Sequence, residues 1–342
     1  MRDAAAGHKP LVLRAGGTKD FYGRVCCGEI LAIRHISGVI SYEPTELVIT
    51  ARAGTSLAEI EQTLAGESQM LAFEPPYFGE AATLGGAVAC GLSGPRRPYT
   101  GSIRDFILGV KCLTGRGEIL TFGGQVMKNV AGYDAARLMT GALGTLGVLL
   151  EVSLKVLPRP EFEISLARNT DAATALGDMN AWAGQPLPLS AACYEGGCLR
   201  IRLSGKQVAV RAAWERLRME EDPEGLAVWQ RLREHEHDFF RRDGGALWRL
   251  SLPSTTPMPA LAGDWLIDWG GAQRWLITAE PVEKIRREAS ACGGHAMLFR
   301  GGDRTGDVFH PLPPELLALH RRLKEAFDPM HVLNIGRMYR EF

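Results

Sequence analysis

The 342-residue chain lacks the signatures of the common nucleotide folds. No G-x-G-x-x-G opens a helix after a strand, and no G-x-x-x-x-G-K-[ST] loop is present, which excludes NAD on a Rossmann turn and ATP on a P-loop. The lipase-type elbow G-x-S-x-G is missing, because Gly91-Leu-Ser-Gly94 has the wrong spacing. Charge of one sign is also missing: Lys plus Arg and Asp plus Glu stand at 39 each, so neither nucleic acid nor an anionic membrane is expected as the main partner. Uncharged runs stop at about sixteen residues, as over 179–194, short of the ~20 that span a bilayer. The first residues carry neither a secretory nor a transit signal, so the expected location is cytoplasmic. The seven cysteines include no C-x-x-C, which fits reduced thiols and excludes a disulfide framework or an iron–sulfur cluster held by this chain. No metal site is expected: His235 and His237 are two apart, and a helical metal pair needs four.

Glycine is what the chain does have. Three stretches stand out: Arg14-Ala-Gly-Gly-Thr-Lys19, Ala82-Thr-Leu-Gly-Gly-Ala87, and the run from Lys128-Asn-Val-Ala-Gly-Tyr-Asp134 to Gly144-Thr-Leu-Gly-Val148. A pyrophosphate needs several convergent donors at short range. Consecutive backbone N–H groups supply them where no side chain intervenes, as at Gly16 and Gly17, with the Thr18 hydroxyl and the charges of Arg14 and Lys19 beside them. The second stretch, followed by Gly91, Ser93, Gly94, Gly101 and Ser102, is bare enough for a planar ring to lie against peptide groups. Together the three segments describe a large anionic cofactor held by separate loops.

Apolar patterning sets the frame around them. Strands are predicted at 11–13, 29–33 and 47–51, followed by a helix with Ser56 and Glu59 as a capping box and Leu57, Ile60 and Leu64 on one face, stopped at Gly66. Residues 71–104 read as a long irregular stretch, a pattern that usually carries function. Strands resume at 106–114 and 119–122 around the turn Gly115-Arg-Gly117, then a short helix over 133–139 and a strand over 148–156. From 162 the order is strand, helix, two strands and helix. Strands at 246–252, 265–269 and 275–278, a helix over 282–291 and a strand at 296–299 follow, as expected of an α+β unit with an antiparallel sheet. Pro314 opens a last helix that Asp328-Pro329 ends, and Leu333-Asn-Ile-Gly-Arg337 is expected to return to the first domain. The expected domains are 1–160, 161–310 and the helix and tail 311–342.

The stretch 11–158 resembles the FAD-binding domain of the vanillyl-alcohol oxidase/PCMH superfamily. Within it, Met127-Lys-Asn-Val-Ala-Gly-Tyr-Asp-Ala-Ala-Arg-Leu-Met-Thr-Gly-Ala-Leu-Gly-Thr-Leu-Gly-Val148 is similar to the FAD-binding E-subunit family of bacterial glycolate oxidases, as is the tail Phe327-Asp-Pro-Met-His-Val-Leu-Asn-Ile-Gly-Arg-Met338. The resemblance implies an α+β chain: a PCMH-type domain of two α/β subdomains and an antiparallel-sheet cap. It places Ala15, Gly16, Gly17, Thr18 and Lys19 around the pyrophosphate, and Thr83, Leu84, Gly85 and Gly86 along the flavin and pyrophosphate. Ser93 and Ser102 fall in flavin-side loops, and Gly144, Thr145, Gly147 and Val148 near the adenine end or ribityl chain. Lys128, Asn129 and Tyr133 are motif positions without an assigned role.

Relatives that attach flavin covalently use a histidine of the first loop; here it reads Thr18-Lys-Asp-Phe-Tyr22, which implies non-covalent FAD. The superfamily's 2-hydroxy-acid dehydrogenases carry an H-x-G-D-G-N-type segment, which His295-Ala-Met-Leu-Phe-Arg-Gly-Gly-Asp303 does not reproduce. The catalytic base is therefore unassigned, with His310 and His295 as candidates and Arg300 as a candidate carboxylate clamp. The expected activity is oxidation of glycolate to glyoxylate within a complex. Its partners would be a second FAD-dependent catalytic subunit and an iron–sulfur subunit, with any inner-membrane attachment made through them. A stand-alone FAD-dependent 2-hydroxy-acid dehydrogenase of D-lactate type, or a non-catalytic structural subunit, are the alternatives.

Overall fold

The computed structural model describes residues 1–124 and 134–342; Lys128, Asn129 and Tyr133 lie outside them. The chain forms two compact units: Met1–Leu92 with Gly101–Pro158 and Asp303–Phe342, and Ser93–Thr100 with Arg159–Gly302.

The first unit contains two main sheets and a short antiparallel pair, Gln69–Met70 with Leu157–Pro158. The strands Leu11–Arg14 and Glu29–Ala32 pair in parallel, and Leu333 of the tail bridges to Leu11 on the other side. A five-stranded antiparallel sheet runs in the order Val39–Glu43, Val48–Arg52, Val148–Lys155, Ile107–Leu113, Ile119–Gly123. Its three inner strands bury Ile49, Ala51, Val110, Val152 and Leu154, while Lys111 and Glu151 pair at 3.1 Å in a partly exposed position. The helix Leu57–Ala65 buries Leu57, Ile60 and Leu64 against this sheet, and the Ser56 side chain accepts from the Glu59 N–H at 3.1 Å. Gly66 stays right-handed, and it is Ser68, at φ +53°, that turns the chain.

The expected irregular stretch contains a helix at Leu84–Cys90. Two glycines in its first turn lower its intrinsic propensity. Tertiary packing restores it: Leu84, Ala87 and Val88 are buried, and Thr83 caps the helix through the Gly86 N–H at 3.2 Å. Gly91, at φ +65°, closes it in the left-handed conformation that favours glycine.

The second unit is one eight-stranded sheet in which every described pairing is antiparallel, with Phe162–Asn169, Cys198–Gly205 and Leu189–Glu195 consecutive in it. The helices Ala172–Ala183 and Gln207–Leu217 bury Leu176, Met179, Val210 and Ala213 against Leu166, Leu199, Ile201 and Leu203. A helix at Ala227–Glu234 was not expected from the sequence. His235 is its left-handed cap rather than a helical residue, stacked on Phe240 with 3.8 Å between ring centroids.

The C-terminal helix Pro314–Phe327 carries a charge into the core of the first unit. Lys324 and Asp328 both have fully buried side chains and meet at 2.7 Å. The remaining Lys324 donors go to the carbonyls of Thr145 at 2.9 Å and Leu333 at 2.8 Å, while Asp328 accepts from the N–H groups of Val332 and Leu333. Every polar atom is thus occupied, the condition under which a buried pair is tolerated. Lys324→Met leaves Asp328 buried without its counter-charge, and urea denaturation is expected to show a loss of about 3–5 kcal/mol. A loss below about 1 kcal/mol would mean that the pair does not hold the tail in place.

Candidate functional site

In the first unit a cavity of about 340 Å³ opens between the two sheets' connecting loops, within the range of small-molecule sites. One wall is the turn that leaves the strand Leu11–Arg14. Ala15, Gly16, Gly17, Thr18 and Lys19 all line it. A Cβ on Gly16 would fall onto the carbonyl of Ala81, and Gly17 sits at φ +71°, so neither position accepts an ordinary side chain. Among the described residues, no acceptor takes the backbone N–H groups of Gly16, Gly17 and Thr18. These donors are what a ligand anion would satisfy. Lys19 is buried, with Nζ 3.1 Å from the Tyr77 carbonyl and 5.6 Å from the centre of the Phe78 ring. Arg14 pairs with Asp20 at 2.9 Å.

The second wall is the start of the helix Leu84–Cys90, where Thr83, Gly85 and Gly86 line the cavity. Here the N–H groups are already taken. Leu84 donates to Thr55 O, Gly85 to Ala53 O at 2.7 Å, and Gly86 to Thr83 Oγ1. A Cβ on Gly85 would come within 2.7 Å of the Ala53 Cβ, so this glycine serves the packing of helix on strand. Leu84 is buried in the core and does not line the cavity.

The helix also positions the third segment: Val88 and Ala89 carbonyls accept from Gly141 N at 3.0 Å and Leu143 N at 2.9 Å. Gly144 and Gly147 line the cavity, with Gly144 at φ +73° packed against Asn334. Thr145 and Val148 point elsewhere. The Thr145 hydroxyl donates to Ala142 O at 2.7 Å, and Val148 is buried with Val332 and Leu333. Ser102 caps the short helix Ile103–Phe106, while Ser93 belongs to the second unit. Neither is among the lining residues.

The candidate base and clamp residues are not brought together at this cavity. His295 and Arg300 stand at the two ends of one strand of the second unit, and His310 lies in the first unit, where its carbonyl accepts from the Tyr339 hydroxyl at 3.2 Å. Burial pushes the pKa of His235 well below that of a free imidazole. Among the described residues no group of three or more His, Cys, Asp or Glu is arranged to hold a metal ion. A second cavity, in the second unit, is lined by Trp182, Trp269 and Asn180, but its polar groups bond one another, as Ser254 Oγ does to Asn180 Oδ1 at 2.6 Å.

Several lining residues were not legible in the sequence. Val25 and Ile30 form an apolar wall although 58% and 56% exposed, large hydrophobic surfaces suited to a flat ring. Arg304, Asn334 and Arg337 come from the far end of the chain. Among the described lining residues, the two arginines with Arg14 and Lys19 make four cationic side chains against one carboxylate, Asp20. The donors, the bare backbone and the positive field fit a dinucleotide pyrophosphate, and the apolar wall fits its ring. No described helix is long and apolar enough to cross a membrane.

Comparison with known proteins agrees with this geometry. Residues 1–123 match the FAD binding domain family. The glycolate oxidase subunit GlcE of Escherichia coli is 50% identical over 341 residues, covering 100% of this chain and 96% of that one. The glycolate oxidase subunit GlcD of Bacillus subtilis is 32% identical over 171 residues, 48% of this chain and 36% of its own. Among solved structures, alkyldihydroxyacetonephosphate synthase superposes with a TM-score of 0.66 at 15% identity, covering 97% of this chain and 72% of that one, which establishes the shared fold.

Cys90 also lines the cavity, and burial raises its thiol pKa to about 11 despite the lowering influence of Lys19 and Arg337. It is therefore a neutral thiol at physiological pH, below the thiolate reactivity of an activated cysteine. Iodoacetamide at pH 8 is expected to label the exposed Cys27 well before Cys90, with the gap closing as the pH approaches about 11. Equal labelling rates at pH 8, mapped by mass spectrometry, would contradict the raised value.

Proposed function

The chain belongs to the family of the glycolate oxidase subunit GlcE, and from that premise we propose that it is the FAD-binding subunit of a glycolate oxidase complex, oxidising glycolate to glyoxylate. The carrying observation is the set of free donors at Gly16, Gly17 and Thr18 in a cavity whose charged lining is predominantly positive. When bound, FAD supplies a two-electron acceptor for a 2-hydroxy acid and can pass electrons on. The chain's own residues bind and orient it. The Gly16–Thr18 amides and the Thr18 and Thr83 hydroxyls face the pyrophosphate, Arg14 and Lys19 neutralise its charge, and Val25, Ile30 and Ile33 exclude water from the ring. Attachment is non-covalent: the first loop offers Thr18, Lys19 and Asp20 where a linking histidine would stand.

Onward transfer goes to companions. Cys26 and Cys27 are adjacent and the other five cysteines are scattered, without the spacing of a cluster-binding set, so an iron–sulfur subunit takes the electrons and a second flavoprotein shares the chemistry. The similarity to GlcD supports that second flavoprotein. The complex works in the cytoplasm, at the inner membrane only through its other subunits. The competing reading is a self-sufficient 2-hydroxy-acid dehydrogenase, supported by the match to a D-lactate dehydrogenase of Anaerostipes hadrus at 32% identity over 139 residues.

Two measurements separate these. Glycolate-dependent dye reduction is expected to be absent from the purified chain and to appear when its co-purifying subunits are restored; full activity of the lone chain would support the competing reading. Gly17→Val places a branched side chain at φ +71°, a strain of roughly 1–2 kcal/mol or more, and crowds the Arg14 guanidinium. The variant is expected to fold by circular dichroism yet purify colourless. A yellow variant with its full flavin content would remove this loop from the site.

A further inference from the structure

The last forty residues contribute more to the cavity than packing. Asp303–Phe342 belongs to the first unit, and it delivers Arg304, Asn334 and Arg337 to the lining. The two arginines are held in place by backbone. Arg337 donates to the carbonyl of Asp20 at 2.9 Å and to that of Arg24 at 3.2 Å, and Arg304 donates to the carbonyl of Gly23. Arg24 in turn ties the segment down through the carbonyls of Gly306 and Gly336, both at 2.8 Å. Among the described residues Arg337 makes no ion pair, and the cavity's one lining carboxylate, Asp20, is engaged by Arg14.

Two guanidinium groups directed to one partly closed space repel each other. Burial, and then the neighbouring Arg337, lower the pKa of Arg304 to about 10, with Tyr22 acting in the opposite direction. Carbonyl partners fix where the Arg337 charge sits but do not neutralise it. A ligand bearing two negative charges would.

We propose that Arg304 and Arg337 form an anion clasp on the FAD pyrophosphate, working with the Gly16–Thr18 loop, so that the flavin site is completed only by the C-terminal segment. This rests on the FAD reading above and names the residues that give it charge selectivity. The segment 1–123 matched by the FAD binding domain family contains neither arginine, so the proposed site is discontinuous in sequence.

The test uses the full chain stripped of flavin, titrated with FAD, ADP and riboflavin by fluorescence and calorimetry at two salt concentrations. Riboflavin has the ring without the pyrophosphate, and ADP the pyrophosphate without the ring. Arg337→Gln and Arg304→Gln are each expected to weaken FAD and ADP by about tenfold or more, to leave riboflavin within about twofold, and to flatten the salt dependence of FAD binding. Arg337→Lys should recover part of the loss. An unchanged ratio of FAD to riboflavin affinity overturns the clasp, whether both affinities stay or both fall, since a purely structural arginine would lower them together. Wild-type chain that binds riboflavin and FAD equally also overturns it. A wild-type chain that binds no FAD at all overturns the reading beneath it as well.

Discussion

The side-chain amide of Asn334 joins three stretches that are far apart in sequence, and the cavity exists because it does. Its Oδ1 accepts from Leu13 N at 2.8 Å, at the end of the first strand. Its Nδ2 donates to Leu143 O at 2.6 Å, beside Gly144, and its backbone N donates to Leu11 O at 2.9 Å. A side-chain amide donates and accepts from separate atoms at once, and here it is buried, where an unmet partner is costly. The buried Lys324–Asp328 pair holds the same tail one turn away, through Leu333 O and Thr145 O. Glycine loops alone would be free to wander; these bonds make them walls.

The glycines divide into two kinds that look alike in sequence. Gly16 and Gly17 leave backbone donors facing open space, whereas Gly85 lets a helix approach Ala53 and has its own N–H satisfied. A ligand is therefore gripped by the first loop, and the second supplies position. The distinction comes from where the N–H bonds go, and spacing does not encode it. Charge follows the same division, since Arg14, Lys19, Arg304 and Arg337 belong to the first loop and to the tail that packs beside it.

Much of the fold was readable because its signals are local. The capped helix Leu57–Ala65, the antiparallel strands of the second unit and the Pro314 helix all follow from period and punctuation. Several helices were not, the two longest being Leu84–Cys90 and Ala227–Glu234. Leu84–Cys90 opens on glycines that oppose a helix, and only its burial against the sheet outweighs them. Ala227–Glu234 sits in a charge-dense stretch after Pro223 and Gly225, although Val228, Trp229 and Leu232 do carry a helical spacing. In the site, ten of the expected flavin residues line the cavity, while Leu84, Thr145 and Val148 share its motifs and face the core. Arg304 has no motif near it, whereas Arg337 lies in the tail expected to return to the first domain; the sequence gives neither a ligand role, and the long-range return of the tail brings both in.

The flavin site depends on side-chain-free amides gripping a pyrophosphate. Hydrogen–deuterium exchange at single-residue resolution, with and without FAD, reads those amides directly. Exchange at Gly16, Gly17 and Thr18 should slow by about tenfold or more with FAD or ADP and stay unchanged with riboflavin. If FAD binds and these three amides exchange as fast as before, the central claim is wrong.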